Sequence, residues 1–340
     1  MTYPALNTLL MRPLAIGHKS IDTRLALAPM AFLSHAALRM LVRGYGGCGL
    51  YFSEMCSARA VLQENRHVSP YFKWDDAETD KLVFQLLGTE PEVMAKAAQR
   101  LESFGFFGVD LNFSCAAGVI RKTGGGAALL QKPDLALSIV EAVRKAVSMP
   151  VSVKFRLYDG ALGFAVQFAK SLENAGADAV TFHPRLANDR RGRKPLRDAI
   201  GKVKQSVAIP VFANGDIFDA ATALKVLRET GCDGLSLGRI AVARPWIFAG
   251  MLQGFEASLA DYRSAALEMA RLLAIYFPAE QALRRYQRFM QYFCANFLYG
   301  HSFYPKIKTA DNIAAALDET RHFFDTGPEI NALPNMNQFI

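Results

Sequence analysis

From Leu25 to about Gly250 the chain alternates short apolar runs, many of them β-branched, with stretches whose apolar positions recur at helical spacing. The runs predict eight strands: Leu25–Pro29, Gly49–Ser53, Leu82–Leu86, Gly108–Asn112, Val151–Phe155, Asp178–His183, Pro210–Ala213 and Asp233–Leu237. Helical stretches fall between them. Pro91–Ser103 and Asp134–Ala146 each begin at or just after a proline. Ala161–Ala175 leads into a glycine, and Asp219–Thr230 has a capping aspartate and stops at Gly231. Eight strands alternating with helices over about 225 residues match the count and length of a (β/α)8 barrel. A doubly wound sheet would open with a glycine-rich dinucleotide turn; here the first strand ends Leu-Ala-Pro-Met. The expected class is α/β, a (β/α)8 TIM barrel over residues 1–250.

Beyond Gly250 the strand pattern stops. Leu259–Phe277, Glu280–Phe297 and Thr309–Phe324 read as helices, giving a small all-helical domain over 251–340. Tyr286, Phe289, Phe293 and Phe297 lie three, four and four residues apart, on one helical face. That spacing reads first as a core stripe, with Arg284, Arg285 and Arg288 on the solvated side.

Composition narrows the class. Of 340 residues, 51% are hydrophobic and 21% charged, which excludes a disordered chain. No apolar stretch is long enough for a lipid-spanning helix, and no cationic segment followed by an apolar one opens the chain, so a cytoplasmic protein is expected. The five cysteines (Cys48, Cys56, Cys115, Cys232, Cys294) are odd in number and contain no C-x-x-C pair, which argues against a disulfide framework or a metal site. The net charge of +8 is concentrated. Between Arg185 and Lys204 eight basic residues face two acidic ones, a net of +6 that includes Arg190, Arg191, Arg193 and Lys194. Such a window points to an anionic partner.

In a (β/α)8 barrel the chemistry gathers where strands end. Here the strand ends carry Pro29-Met30, Glu54-Met55, Gln85, Asn112 with Cys115, Lys154 with Arg156, His183 with Arg185, Asn214-Gly215-Asp216 and Gly238-Arg239. The last two groups sit after strands seven and eight, the usual phosphate corner of this fold. Small residues there let backbone N–H groups approach an anion, which suits flavin mononucleotide, pyridoxal phosphate or a sugar phosphate. Lys154 and Arg156 are one alternation apart and face the interior if Phe155 faces out. A buried lysine there either forms a Schiff base or holds charge against an anionic cofactor. Gln85 and Asn112 supply amide donors and acceptors suited to the edge of a flat heterocycle. Cys115 lies in a loop followed by Arg121, Lys122 and a run of glycines, a setting in which a thiol donates a proton to a substrate. The other four cysteines lie in apolar contexts and read as packing residues.

Taken in order, these segments resemble the dihydrouridine synthases, flavin enzymes that reduce uridine in RNA. The resemblance runs from about Leu25 to Phe248. It rests on Leu-Ala-Pro-Met-Ala (27–31), Tyr-Phe-Ser-Glu-Met-Cys-Ser-Ala (51–58), Gln-Leu-Leu-Gly (85–88) and Val-Asp-Leu-Asn-x-x-Cys (109–115). It continues through Gly-Gly-Gly-Ala-Ala-Leu-Leu (124–130), Val-Lys-Phe-Arg-Leu (153–157), His-x-Arg (183–185), Ala-Asn-Gly-Asp-Ile (213–217), Gly-Arg (238–239) and Pro-Trp-Ile-Phe (245–248). The resemblance implies FMN held by Pro29, Met30, Gln85, Lys154, His183, Asn214, Gly215, Asp216, Gly238 and Arg239. It also implies uracil oriented by Asn112, Arg156 and His183, a hydride to uracil C6, a proton to C5 from Cys115, and NADPH as reductant. The target base would be flipped out of an RNA, tRNA above all. Arg185, Arg190, Arg191, Arg193 and Lys194 would meet the RNA backbone at the rim, with the helical domain completing the cradle.

The chain departs from the family pattern at three places. Ser114 and Ala116 flank the cysteine where the family usually has Gly and Pro. Ser34-His35 replaces Thr-Asp after the first strand, and the arginine-rich 188–194 replaces an aromatic stretch. Rival readings are a small-molecule flavin ene-reductase or dehydrogenase, a Schiff-base aldolase using Lys154, a non-catalytic RNA-binding barrel, and the same uridine chemistry on ribosomal RNA.

Overall fold

The computed structural model describes residues 2–158, 160, 162–189 and 194–336. Eight parallel strands close into a ring: β1 (Leu25–Leu27), β2 (Leu50–Phe52), β3 (Leu82–Leu87), β4 (Gly108–Phe113), β5 (Val151–Arg156), β6 (Ala179–His183), β7 (Val211–Asn214) and β8 (Gly234–Leu237). Each pairs in parallel with its sequence neighbours. Leu235 beside Leu25 joins β8 to β1, and Tyr51 beside Leu82 joins β2 to β3, so no sheet edge is left open. All eight strands coincide with the apolar runs of the sequence to within a residue or two.

Outer positions of the strands (Leu25, Leu27, Tyr51, Leu82, Phe84, Val109, Leu111, Val153, Phe155, Val180, Phe182, Leu235) pack with the surrounding helices into one continuous core. These helices are α1 (Ala36–Tyr45), α2 (Pro91–Glu102), α3 (Pro133–Ala146), α4 (Leu162–Asn174), α5 (Asp198–Ser206), α6 (Ala220–Thr230) and α7 (Ile247–Gln253). Inner positions form a second cluster. Ala26, Leu50, Phe52, Val83, Ala179 and Phe212 meet Leu14, Ile16 and Ile21 from an N-terminal hairpin that plugs the bottom of the barrel. The plug leaves the opposite, C-terminal end as the barrel's mouth.

No full helix follows β2. The chain makes a short strand (Cys56–Ser57), one helical turn (Ala58–Val61) and a 3-10 helix (Asp76–Lys81) before β3. This excursion is anchored by Arg39 of α1, which makes paired hydrogen bonds of 2.8 and 2.7 Å to Glu78 and also donates to the carbonyls of Ser34 and Lys73. Both charged side chains are buried, and these hydrogen bonds supply the compensation a buried pair needs.

The C-terminal region is helical, with α8 (Leu259–Tyr276), α9 (Ala279–Phe293), α10 (Gly300–Lys308) and α11 (Ile313–Asp325). Two boundaries differ from the sequence expectation. The helix expected over Glu280–Phe297 ends at Phe293 and tightens into a 3-10 turn, Cys294–Asn296. The helix expected from Thr309 begins at Ile313, because Asn312 caps it by accepting the Ala315 N–H. Between them α10 forms despite Pro305, held by buried Phe303 and Ile307. Tyr286, Phe289, Phe293 and Phe297 are all buried, so the aromatic stripe is core.

At the end of α8, Tyr276 Oη donates to Asp75 Oδ2 at 2.6 Å and ties the helical region to the β2–β3 excursion. This bond, first, holds Asp75 below the usual carboxylate range. Tyr276→Phe is expected to cost about 1 kcal/mol at pH 7 in denaturant melts. Because the folded-state pKa is depressed, the contribution is complete above the unfolded value near ~3.9 and disappears as pH falls through the folded one. Equal midpoints for the two proteins at pH 7 would rule the contribution out.

Candidate active site

The period of two along each strand dictates what lines the barrel's interior. Above the apolar plug the inner positions turn polar: Gln85 on β3, Asp110 and Asn112 on β4, Ser152, Lys154 and Arg156 on β5, Thr181 and His183 on β6, Asn214 on β7 and Ser236 on β8. Phe155 packs outward, as the alternation requires.

Buried Asp110 organises the lower tier. Its carboxylate accepts from Gln85 Nε2 and Ser152 Oγ, each at 2.6 Å, and burial pushes it up to about 6. Gln85 Oε1 in turn accepts from Asn112 Nδ2 at 2.8 Å. The free end of Asn112 then shapes the next loop. Its Oδ1 accepts the N–H groups of Ser114 (3.0 Å) and Cys115 (2.8 Å). The Cys115 carbonyl accepts the Ala127 N–H at 2.9 Å. Gly126, at φ +59, lies so close that a β-carbon there would come 2.6 Å from the Cys115 carbonyl oxygen. The backbone of Cys115 is thus clamped on both sides, while its side chain is half-buried and the other four cysteines are buried.

Cations dominate the upper tier. Burial, then neighbouring Arg156, lowers Lys154 to about 8, against the opposing pull of Asp110. Lys154 Nζ donates to Ser114 Oγ at 3.2 Å, so one of the residues flanking the cysteine supplies the lysine's hydrogen-bond partner. Arg156 donates to the Leu186 carbonyl at 2.9 Å and lies 3.2 Å from His183 Nδ1. Burial and the surrounding cations (Lys154, Arg156, Arg185, Arg239) hold His183 well below its ordinary value. A guanidinium only donates, so Nδ1 of the neutral ring accepts and Nε2 carries the proton. That N–H is buried and has no partner among the described residues; the same is true of Arg156 Nε and Ser236 Oγ.

Around this tier one cleft is lined by Pro29, Met30, Lys154, His183, Arg185, Asn214, Gly215, Asp216, Ser236, Gly238 and Arg239, together with Ile217 and Phe218. Asn214 is oriented by donating to the Ser236 carbonyl at 2.8 Å. Asp216, at φ +49, pairs with Arg185 and lies 3.4 Å from Arg239. Gly215, at φ +117, has no room for a side chain, since a β-carbon would sit 2.9 Å from the His183 ring. The cleft therefore offers glycine backbone, a cationic corner and unpaired donors. Such a donor set fits an anionic phosphate at the corner beyond β7 and β8 and a flat polar heterocycle over Lys154.

Of the residues expected to hold the cofactor, all but Gln85 line this cleft, whereas Asn112, Cys115 and Arg156, expected to meet the substrate, stand outside its lining. Arg185, expected at the RNA-facing rim, is buried in the cleft wall and paired with Asp216. Gln85 lies outside the cleft lining and connects to Lys154 through Asn112 and Ser114. Lys194 is exposed, whereas Arg190, Arg191 and Arg193 lie outside the described residues. Sequence reasoning missed Asp110, Ser152 and Ser236. Each stands two residues before a residue that it did identify (Asn112, Lys154, Gly238), which was the available signal. Among the described residues no group of His, Cys, Asp and Glu could hold a metal ion, and no helix is long and apolar enough to cross a membrane.

Comparison with known proteins identifies the family. The tRNA-dihydrouridine synthase B of Pseudomonas aeruginosa is 33% identical over 322 residues, 92% of this chain and 96% of that protein. The probable tRNA-dihydrouridine synthase 1 of Synechocystis is 32% identical over 299 residues, 85% of this chain and 83% of that one. Among solved structures, the old yellow enzyme from Trypanosoma cruzi superposes with a TM-score of 0.53 at 13% identity, covering 76% of this chain and 94% of its own, a likeness of fold. The profile of the dihydrouridine synthases matches residues 26–321, and the chain belongs to that family.

Proposed function

We propose that the protein reduces uridine to 5,6-dihydrouridine in tRNA, with FMN in the cleft, NADPH as reductant and Cys115 as proton donor. The observation that carries this reading is the Asn112–Ser114–Cys115–Lys154 cluster, in which the loop bearing a half-buried thiol is tied by Ser114 to Lys154, a buried ammonium in the wall of a cleft fit for a flavin. The residues that would hold FMN are Pro29, Met30, Lys154, His183, Asn214, Gly215, Asp216, Gly238 and Arg239, with Gln85 connected to Lys154 through Asn112 and Ser114. Bound and reduced, that group supplies the hydride for uracil C6. The chain's own residues do the rest. Cys115 gives its thiol proton to C5, and the Lys154 ammonium nearby stabilises the thiolate left behind. Arg156 and the Nε2–H of His183 offer donors to the uracil carbonyls, and Asn112 fixes the loop from which the thiol acts. The product has gained one hydride and one proton, and NADPH returns the two electrons.

A uracil stacked in RNA reaches such a cleft only by leaving its stack. The basic window after β6 and the helical region over 251–340 serve as the surface that holds the backbone. Neutralising Arg190, Arg191, Arg193 and Lys194 together is expected to weaken tRNA binding and to flatten the plot of log affinity against log salt, by about 1 for each phosphate left without its cation. Unchanged affinity and slope would place the RNA elsewhere.

The deciding experiment maps dihydrouridine across total RNA from a strain lacking the protein. Loss of the modification at tRNA positions, restored by the gene, is the expected result. Loss confined to ribosomal RNA would replace tRNA by rRNA, and no loss together with turnover of small enones would make the protein a small-molecule reductase.

A further inference from the structure

Beside the mouth of the barrel lies a second concavity, of about 550 Å³, that the uridine chemistry does not use. It runs between the loop after β1 (Phe32), the β2–β3 excursion (Pro70, Tyr71) and one face of α9 (Gln281, Arg284, Arg285, Arg288). Only Ala31 separates Phe32 from Met30 of the cleft, so the groove adjoins the active site.

Its walls are costly to the fold. Phe32 holds φ +63, a conformation that penalises a bulky side chain, yet its ring is 51% exposed. Tyr71 is 41% exposed and meets Phe32 edge-on at 6.1 Å. Neither ring has been placed for core packing. Glu54 fixes the arrangement from beneath: its Oε1 accepts the Phe32 N–H, and its Oε2 lies 3.8 Å from Arg285. Arg285 donates to the Pro70 carbonyl at 2.9 Å and lies over the rings of Phe277 and Tyr71. Arg288 is steered by a 2.7 Å bond to Gln291.

The polar atoms left over define a ligand. Gln281 Oε1, Arg285 Nε and Arg288 Nε are buried and without a partner among the described residues. They belong to residues that line one side of a groove whose other side is aromatic and whose helix face carries three arginines, of which Arg284 is exposed. An unstacked nucleobase has matching features: a π-face, an edge of mixed donors and acceptors, and an attached phosphate.

We propose that this groove receives a second unpaired base of the substrate RNA, stacked on Tyr71 and Phe32, while the target uridine occupies the barrel. The groove then measures the local single-stranded context of the target and helps to select which uridine is reduced. The inference rests on the RNA reading above but is separately testable.

A panel of tRNA transcripts, each with 2-aminopurine at one unpaired position near the target, reads the stacking directly. With the full-length protein, one position is expected to be quenched on binding. Tyr71→Leu and Phe32→Gly should each abolish that quench and weaken binding about 5- to 30-fold, the effect of losing one base–aromatic stack. The salt slope should stay unchanged, because neither ring neutralises a phosphate. Phe32→Gly also relieves the backbone at φ +63, so its loss of quench cannot come from failure to fold. Arg288→Gln should weaken binding of the same transcript and lower the salt slope. If transcripts bind both ring variants with wild-type affinity and every quench persists, the groove is not a base site. If the wild-type protein binds no transcript at all, the RNA reading falls, and this inference with it.

Discussion

Replacing Cys115 by alanine is expected to lower dihydrouridine formation by roughly 10²–10⁴-fold, the usual contribution of a positioned general acid, while flavin content and its reduction by NADPH stay at wild-type values. The separation follows from the geometry. Cys115 is held through its backbone, by Asn112 Oδ1 on the amide side and the Ala127 N–H on the carbonyl side, so removing the sulfur leaves the loop's anchors in place. The corner of the cleft beyond β7 and β8 does not depend on it, because Asn214 is held by Ser236 and Asp216 by Arg185 and Arg239. Single-turnover assays on pre-reduced enzyme isolate the step. Wild-type product yield from the alanine variant would overturn the assignment of Cys115 as the acid. A variant that also loses its flavin would show that the sulfur's role is structural.

What the sequence made legible, and what it hid, divides along physical lines. The strands were legible because each is bounded by turn residues and buried on its outer face, which leaves apolar residues at alternate positions such as Val109 and Leu111 or Val151 and Val153. The cleft residues were legible because a barrel brings all strand ends to one place, so position along the chain determines position in space. Asp110 and Ser152 escaped because they sit inside strands, where a polar residue reads as noise until alternation assigns it to the interior. Helix α10 escaped for another reason. Its Gly300 and Pro305 carry turn-like propensity, and only the tertiary burial of Phe303 and Ile307 overrides it. The Arg39–Glu78 pair was also invisible, since its partners lie 39 residues apart and meet only once the β2–β3 excursion folds back on α1.

The cysteine loop shows how a departure from a family pattern is absorbed. Ser114 stands where the family usually has glycine, and its hydroxyl accepts from Lys154. Its backbone N–H still reaches Asn112 Oδ1 beside that of Cys115. The substitution therefore adds a tether to the lysine while the loop's anchor on β4 is kept. The groove between Phe32 and α9 is the opposite case, in which residues outside the family motifs leave buried polar atoms without a partner among the described residues. Arg284, Arg285 and Arg288 interleave in sequence with a core stripe, but only Arg284 reaches the expected solvated side; Arg285 is buried, drawn into the groove wall by the β2–β3 excursion, and Arg288 is half-buried.

Lys154→Met should slow reduction of the bound flavin by NADPH by roughly 10²–10³-fold, the effect of deleting one preorganised charge at a site where negative charge develops. The pH dependence makes the prediction sharper. Lys154 sits near 8, so its ammonium is largely present at pH 7 and is lost as pH rises through that value. The other groups facing the same point do not titrate there. His183 is neutral well below this range, Asp110 titrates near 6, and the guanidiniums of Arg156 and Arg239 stay charged. The measurement belongs in the Cys115→Ala protein, where the thiol beside Lys154 is absent and the limb reports the lysine. In that background the rate of flavin reduction should be level at neutral pH and fall above about 8, whereas the double variant with Lys154→Met should be slow and flat. A parallel fall in both proteins would assign the limb to another group, and a methionine variant reduced at the wild-type rate would remove Lys154 from the chemistry altogether.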